Sequence, residues 1–248
     1  MRILISGLGG RMGRETARLA RDGYCGAVLV GGVSPYGCAD FGVPCAQDFS
    51  SAVTVADCVI DFSHHCATCA LLGFVKEYRL PLVLATTGQS EAERAAILTA
   101  AEEIPLFFSA NCSTGAALLT ALVRKAAEAM PDAEIEIIER HHDRKPDAPS
   151  GTALALAETL RGVRPDAEIL VGRRGHRQRA PNEIGVHAVR LGGAVGTHEV
   201  ILGTAHETVT LRHEAHDRAL YARGALAAAA FLQGKPAGLY GMQDMIPL

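Results

Sequence analysis

Tryptophan is absent from this chain, and aromatic residues make up only 5% of its 248 positions. A core without large rings must be built from Ala, Val, Leu and Ile. No apolar run reaches the roughly 20 residues that a membrane-spanning helix needs, so no membrane role is expected. A strong charge of one sign is also missing: the formal net charge is −3, with acids and bases nearly balanced. That balance gives no footing for nucleic acid or another polyanion. The opening Met1-Arg2-Ile3-Leu4-Ile5-Ser6 runs straight into glycines and is too short for a secretory signal. An even cysteine framework is lacking as well. Seven cysteines lie irregularly between Cys25 and Cys112, and reduced thiols in a cytoplasmic protein are the expectation. The length suffices for one large or two modest domains.

What is present begins with a strand at residues 2–6, the turn Gly7-Leu8-Gly9-Gly10-Arg11-Met12-Gly13, and a helix to about Arg21. Strand, glycine turn and helix form the context of a dinucleotide site, where the backbone approaches a pyrophosphate at the helix start. Gly7 and Gly9 fit the usual spacing, but Met12 holds the third position and the next glycine is Gly13. A tight turn without ligand reads from the same residues. A second strand, 27–33, ends in Ser34-Pro35 where an acid would read the adenosine ribose. Arg11 and Arg14 are the nearest basic residues for a 2′-phosphate. Strands at 57–63, 81–88 and 105–111 alternate with helices, which predicts a parallel, doubly wound sheet. Thr86, Thr87, Gly88, Ser109, Ala110 and Asn111 fall at carboxyl ends of strands and read together as one cofactor crevice. His64, His65, Cys66 and Cys69 resemble part of a zinc cluster. The second Cys-x-x-Cys pair of a zinc ribbon is missing, and no metal is expected.

The histidines mark a different region: eight of ten lie between His141 and His216. A helix at 115–129 precedes an alternating strand, Glu134–Glu139, and the polar loop that carries His141, His142, Lys145, Pro146, Pro149 and Ser150. Ser150 is a candidate N-cap for a helix beginning at Gly151-Thr152. Backbone N–H groups there favour an anion, and Gly151 has no side chain to block it. The histidines and Lys145 add acid–base capacity, so a carboxylate or phosphate site is one reading; a solvated, well-capped loop is the other. Strand-like runs at 167–171, 185–191, 197–202 and 207–213 lack long helices between them and predict a mostly antiparallel or mixed sheet. Arg173–Arg179 is a basic loop for an anionic ligand, a partner subunit or solvent. From Asp217 the chain reads as helical to Leu232 and is expected to pack back on the first domain.

With these residues in view, the chain resembles the 4-hydroxy-tetrahydrodipicolinate (dihydrodipicolinate) reductase family over nearly its whole length. The opening glycine turn, Glu139 to Ala153, Ala85-Thr86-Thr87-Gly88, Ser109-Ala110-Asn111, Ile184 to Arg190, and Val195 to Glu199 carry the likeness. The resemblance implies an α/β fold with a Rossmann-like doubly wound parallel sheet in residues 1–112, completed by 217–248. Residues 113–216 would form an α+β substrate-binding and tetramerisation domain with a mixed sheet. It implies an NADPH- or NADH-dependent cytoplasmic homotetramer of lysine and diaminopimelate synthesis that reduces a dicarboxylate imine. His141 would be the acid/base, Lys145 a proton donor and His142 a substrate contact, with Gly151 and Thr152 on a substrate carboxylate. Gly7, Leu8, Gly9, Gly10, Arg11, Met12, Ala85, Thr86, Thr87, Ser109, Ala110, Asn111 and Cys112 would line the cofactor, with Ser34 at the ribose. Ser34-Pro35, His64-His65, Gln89 and Cys112 depart from the family pattern. Another Rossmann amino-acid dehydrogenase and a nonenzymatic dinucleotide sensor are the rival readings; the first would lack the His-His-x-x-Lys signature.

Overall fold

The computed structural model of the chain describes residues 1–38, 41–52 and 55–246. They form two compact units, Met1–Thr114 with the chain from Ala219 onward, and Gly115–Arg218. The last two residues of the expected first domain lie outside the described residues. The first unit carries β1 (Arg2–Ser6), α1 (Arg11–Arg21), β2 (Val28–Val33), β3 (Cys45–Ala46), β4 (Cys58–Asp61), α2 (Thr68–Glu77), β5 (Leu82–Leu84), α3 (Glu91–Ala101) and β6 (Pro105–Phe108). Then come α4 (Thr114–Ala129), β7 (Glu134–His141), α5 (Gly151–Val163), β8 (Glu168–Val171), β9 (Glu183–Arg190), β10 (Gly196–Gly203) and β11 (Thr208–Ala215). The chain ends with α6 (Ala219–Phe231) and β12 (Gly238–Tyr240).

The first sheet is parallel throughout, in the order β12-β6-β5-β4-β1-β2-β3. This is the doubly wound Rossmann order with one strand added beside β6. Ile3, Leu4 and Ile5 are fully buried, as are Val59, Leu82, Leu84 and Leu106. Strands covered on both faces need such unbroken apolar runs. Side chains of α2 and α3, among them Leu71, Val75 and Ile97, pack into the same aliphatic cluster. The strands stop sooner than the sequence predicts: β4 ends at Asp61, β5 at Leu84 and β6 at Phe108. Their polar continuations leave the ladder and form turns.

The C-terminal helix belongs to this unit. Its buried residues are mostly Ala and Gly, and it packs on α1. At Gly224 an added methyl would run into the backbone carbonyl of Cys112, so only glycine allows this approach. The short edge strands β3 and β12 were not legible in the sequence. Pairing of β3 with β2 brings Cys45 beside the loop that leaves β2, and Cys38 and Cys45 form a disulfide with Cα atoms 6.1 Å apart. This corrects the expectation of reduced thiols for that pair; the separation is within the range a disulfide spans.

The second sheet has the order β11-β10-β7-β9-β8 and is mixed. β10 runs antiparallel to β7 and β11, whereas β9 runs parallel to β7 and β8. Ile135, Ile137, Val186 and Val200 meet Leu156 and Leu160 of α5 and Val123 of α4 in its core. Each such leucine stabilises the fold by roughly 1.5–3 kcal/mol. β7 continues two residues past the expected end, because Arg140 pairs with Thr197 and His141 with Arg190. His141 is thus the last strand residue, paired with β9, and not a loop residue. The basic loop also differs from expectation. Arg173 and Arg177 both bind the buried Glu183, and Arg179 lies 3.3 Å from Glu136. Their charge is answered within the chain.

Two glycine substitutions separate close packing from helix propensity. Gly224→Ala should lower stability by about 1–3 kcal/mol through overpacking. Gly73→Ala, in α2 where an added methyl meets nothing within 4 Å, should raise it by roughly 0.5–1 kcal/mol. Urea denaturation midpoints of the two variants check both signs.

Candidate active site

Alternation along β7 places Ile135, Ile137, Glu139 and His141 on one buried face. A carboxylate in line with two isoleucines must find partners or neutralise. Glu139 is fully buried and finds three. Arg190 donates to both of its oxygens at 2.9 and 2.8 Å, the Ser150 N–H donates at 3.0 Å, and His141 Nδ1 lies 2.6 Å away. Burial alone would raise the Glu139 pKa; the bonds from Arg190, His141 and Ser150 outweigh it and hold the carboxyl below its usual range. The residue is therefore ionised and donates nothing, so Nδ1 of His141 must carry a proton. That leaves Nε2 as the ring nitrogen without a proton, and it has no hydrogen bond among the described residues. It faces Gly196, where an added methyl carbon would sit 3.0 Å from Nε2.

His198 stands next to this pair. It is opposite Glu139 in the β7–β10 register, its ring meets that of His141 edge-on at 5.3 Å, and its Nε2 lies 3.1 Å from Ser150 Oγ. Burial, with the nearby His141 charge, pushes its pKa down to about 4, so it is neutral at ordinary pH. Lys145 leaves the strand end and pairs with Asp147 at 2.8 Å. Asp147 is held below its usual range chiefly by that bond. His142 points elsewhere: its Nε2 is 3.2 Å from the Arg218 guanidinium. Burial first, then the Arg218 charge, lowers its pKa. The Ala148–Pro149 peptide is cis. Ser150 caps α5 as its sequence position predicts, accepting from Ala153 N–H at 3.3 Å. Gly151 is exposed at the first position of the helix, with open space where a side chain would be.

The first unit holds the candidate cofactor residues. Because β6, β5, β4 and β1 are neighbours, the turns after them stand side by side at the carboxyl edge of the sheet. Gly7 has φ +82°, and a side chain there would strike the Phe62 carbonyl. Gly13 is needed where α1 crosses the Gly7 carbonyl, which explains the shifted third glycine. Gly10, Arg11, Thr87 and Ala110 are exposed on this edge, and Gly7, Gly9, Met12, Ala85, Ser109 and Asn111 are half-buried. Such a cradle suits the close approach of a pyrophosphate. Four candidates turn inward. The Leu8 side chain is fully buried and fills the space above Gly32. Ser34 is buried against Gly9. The Thr86 hydroxyl is donated to Asp61. Cys112 is buried, its carbonyl faces Gly224, and burial pushes its thiol up to about 12.

Sequence reasoning assigned no role to Glu139, Arg190, His198, Asp147 or Asp61. One signal was available: period-two spacing puts Glu139 and His141 in register with Ile135 and Ile137. Arg190 and His198 lie 51 and 59 positions from Glu139, and only strand register joins them. Asp61 ends β4, where Ser63 Oγ donates to it at 2.6 Å and Thr86 Oγ1 donates to its other oxygen. Burial raises its pKa despite these hydroxyls.

A parallel sheet in Rossmann order with a glycine turn after its first strand, followed by a mixed-sheet unit bearing a His/Lys site, defines a nicotinamide-dependent oxidoreductase. Residues 1–112 match the family described as dihydrodipicolinate reductase, N-terminus, and residues 115–246 the one described as dihydrodipicolinate reductase, C-terminus. The 4-hydroxy-tetrahydrodipicolinate reductase of Caldanaerobacter subterraneus subsp. tengcongensis is 42% identical over 99% of this chain and 98% of its own. That of Clostridium tetani is 39% identical over 99% and 97%. A dipicolinate-bound dihydrodipicolinate reductase from a Paenisporosarcina species has the same fold, with TM-score 0.80 at 24% identity over 99% of each chain. The chain belongs to the dihydrodipicolinate reductase family, whose members are NAD(P)H-dependent oxidoreductases. Among the described residues no helix is long and apolar enough to cross a membrane.

The depressed His198 value gives a pH prediction. Its folded pKa is about 4 against an ordinary value of 6.5 for histidine. Between these the unfolded chain binds more protons, so stability falls as pH drops from 6.5 towards 4 and the contribution is complete above 6.5. The slope approaches about 1.4 kcal/mol per pH unit at most. Urea unfolding measured across that window should show it, and His198→Asn should flatten it.

Proposed function

We propose that the chain catalyses the NAD(P)H-dependent reduction of 4-hydroxy-tetrahydrodipicolinate to tetrahydrodipicolinate in diaminopimelate and lysine synthesis, as a cytoplasmic homotetramer. The observation that carries this reading is the buried Glu139–His141 pair, with Nε2 left open beside a loop bearing Lys145 and a helix start at Gly151. Dipicolinate, the ligand named for the Paenisporosarcina enzyme, is a planar ring with two carboxylates, the same charge pattern as the proposed substrate.

In this reading Gly151 and Thr152 hold one substrate carboxylate at the start of α5, and His142 contacts the substrate. Replacing a ring hydroxyl by hydrogen takes one hydride and one proton, and the hydroxyl leaves as water. Bound nicotinamide supplies the hydride. Lys145 and His141 Nε2 manage the proton, and Glu139 keeps the imidazole in the tautomer that allows it. Asp147 holds the Lys145 ammonium until substrate carboxylate competes for it. Residues 1–112 with the C-terminal segment bind the coenzyme, through Gly7, Leu8, Gly9, Gly10, Arg11, Met12, Ala85, Thr86, Thr87, Ser109, Ala110, Asn111 and Cys112. Leu8, Thr86 and Cys112 can take part only through main-chain atoms. Residues 113–216 bind substrate and form the tetramer.

The test is a steady-state assay with freshly made substrate. His141→Gln and Lys145→Ala should each lower kcat by roughly 10²–10⁴-fold while the fold survives, as circular dichroism would show. Wild-type turnover at saturating substrate in either variant removes that residue from the mechanism.

Coenzyme choice has a separate test. No acid ends β2, so nothing there repels a 2′-phosphate, and both coenzymes should be used with NADPH modestly favoured. Ser34 contributes here only by carrying no charge, since its hydroxyl is turned inward against Gly9. Because Ser34 is buried beneath Gly9, replacing it with Asp would disturb the turn as well as the charge. Arg11, exposed at the first position of α1, is the cleaner probe. Arg11→Ala should lower kcat/KM for NADPH about tenfold more than for NADH, the equivalent of one lost charge-assisted bond. An unchanged ratio means Arg11 does not read the phosphate.

A further inference from the structure

His64, His65 and Cys66 follow β4 and precede α2, and neither the glycine turn nor the His/Lys site uses them. Their three ligand atoms lie within 4.8 Å of one another. Cys66 Sγ is 3.9 Å from His65 Nε2 and 4.0 Å from Nδ1, so it lies beside the ring. Sulfur and nitrogen ligands on one tetrahedral ion, with bonds of about 2.3 and 2.0–2.1 Å, stand roughly 3.5 Å apart. Binding therefore requires the exposed Cys66 side chain to swing towards the Nε2 edge of the ring. Cys69, one turn on, is not part of the group, so this is not the Cys-x-x-Cys pattern the sequence suggested.

A further contact preorients the group. The other nitrogen of His65, Nδ1, lies 3.2–3.3 Å from both carboxylate oxygens of Glu93. A carboxylate on Nδ1 fixes the proton there and turns the Nε2 lone pair outward, the arrangement that metal-binding histidines use. Glu93 is itself fixed, since it closes the capping box of α3 with Ser90. His64 is the third ligand; binding replaces the long 3.4 Å bond its Nδ1 accepts from Cys66 N–H.

We propose that His64, His65 and Cys66 form an open, three-ligand site for a thiophilic divalent cation of the zinc class, with Glu93 as the positioning carboxylate. Imidazole and thiolate ligands select zinc-like ions over magnesium or calcium. The cation displaces the Cys66 thiol proton to solvent, and no redox change occurs. Water occupies the fourth position. The ligand set owes nothing to the reductase reading, although His65 stands beside Gly88 in the turn after β5.

The test uses the intact chain with the Cys38–Cys45 disulfide retained, freed of metal and kept from air, and titrated with Co²⁺ and then Zn²⁺. One equivalent of Co²⁺ should give a thiolate-to-cobalt charge-transfer band, which one equivalent of Zn²⁺ bleaches. Cys66→Ser should abolish the band, and Cys69→Ser should keep it. His64→Ala and His65→Ala should weaken binding. Glu93→Gln, which preserves the capping box, should weaken it by about 10–100-fold. Circular dichroism confirms that each variant is folded. The proposal is overturned if wild type gives no saturable band, if Cys69→Ser loses it as Cys66→Ser does, or if Glu93→Gln binds as tightly as wild type.

Discussion

The second unit depends on one buried negative charge. Taking the Glu139 carboxylate out of water costs several kcal/mol, and only the charged and N–H donors around it make that tolerable. Those donors come from three separate segments: Arg190 at the end of β9, His141 at the end of β7, and the Ser150 N–H at the start of α5. The need to satisfy one carboxylate therefore locks two strand ends to a helix start. Arg190 also donates to the Asp147 carbonyl, which ties down the loop between them. The position of Lys145 and the tautomer of His141 both follow from this arrangement.

Asp61 in the first unit makes a useful contrast. It too is buried at a strand end, but its partners are hydroxyls rather than cations. Burial wins there and the pKa rises, whereas at Glu139 the guanidinium and imidazole win and the pKa falls. The two carboxylates do similar mechanical work, since Asp61 joins the turn after β4 to the turn after β5. Only Glu139 also fixes the protonation of a neighbour with acid–base capacity.

Local patterns in the chain were enough for much of this. Apolar runs followed by glycines or polar turns gave the parallel sheet, Ser150 announced its helix, and the stretch from Asp217 read as helical. The glycine turn was legible, but the reason for Gly13 was not, because the carbonyl it avoids belongs to Gly7 across the turn. The basic loop at 173–179 looked available for a ligand; the acids that answer it, Glu136 and Glu183, come from strands and were indistinguishable from surface acids in the sequence. The Cys38–Cys45 bond was missed because a two-residue strand leaves no periodic signal.

By itself the sequence determined the order of elements, the parallel first sheet, the helix start at Ser150 and the set of titratable residues around it. These depend on contacts between near neighbours: hydrophobic period, turn chemistry and caps. The tertiary structure decided what those residues can do. Register across β9, β7 and β10 placed Arg190 and His198 beside Glu139, burial set the opposite shifts of the carboxylates, and the inward turn of Leu8, Ser34, Thr86 and Cys112 removed four side chains from the cofactor edge. Strand pairing and burial are sums over residues far apart in the chain, and no local spacing encodes them.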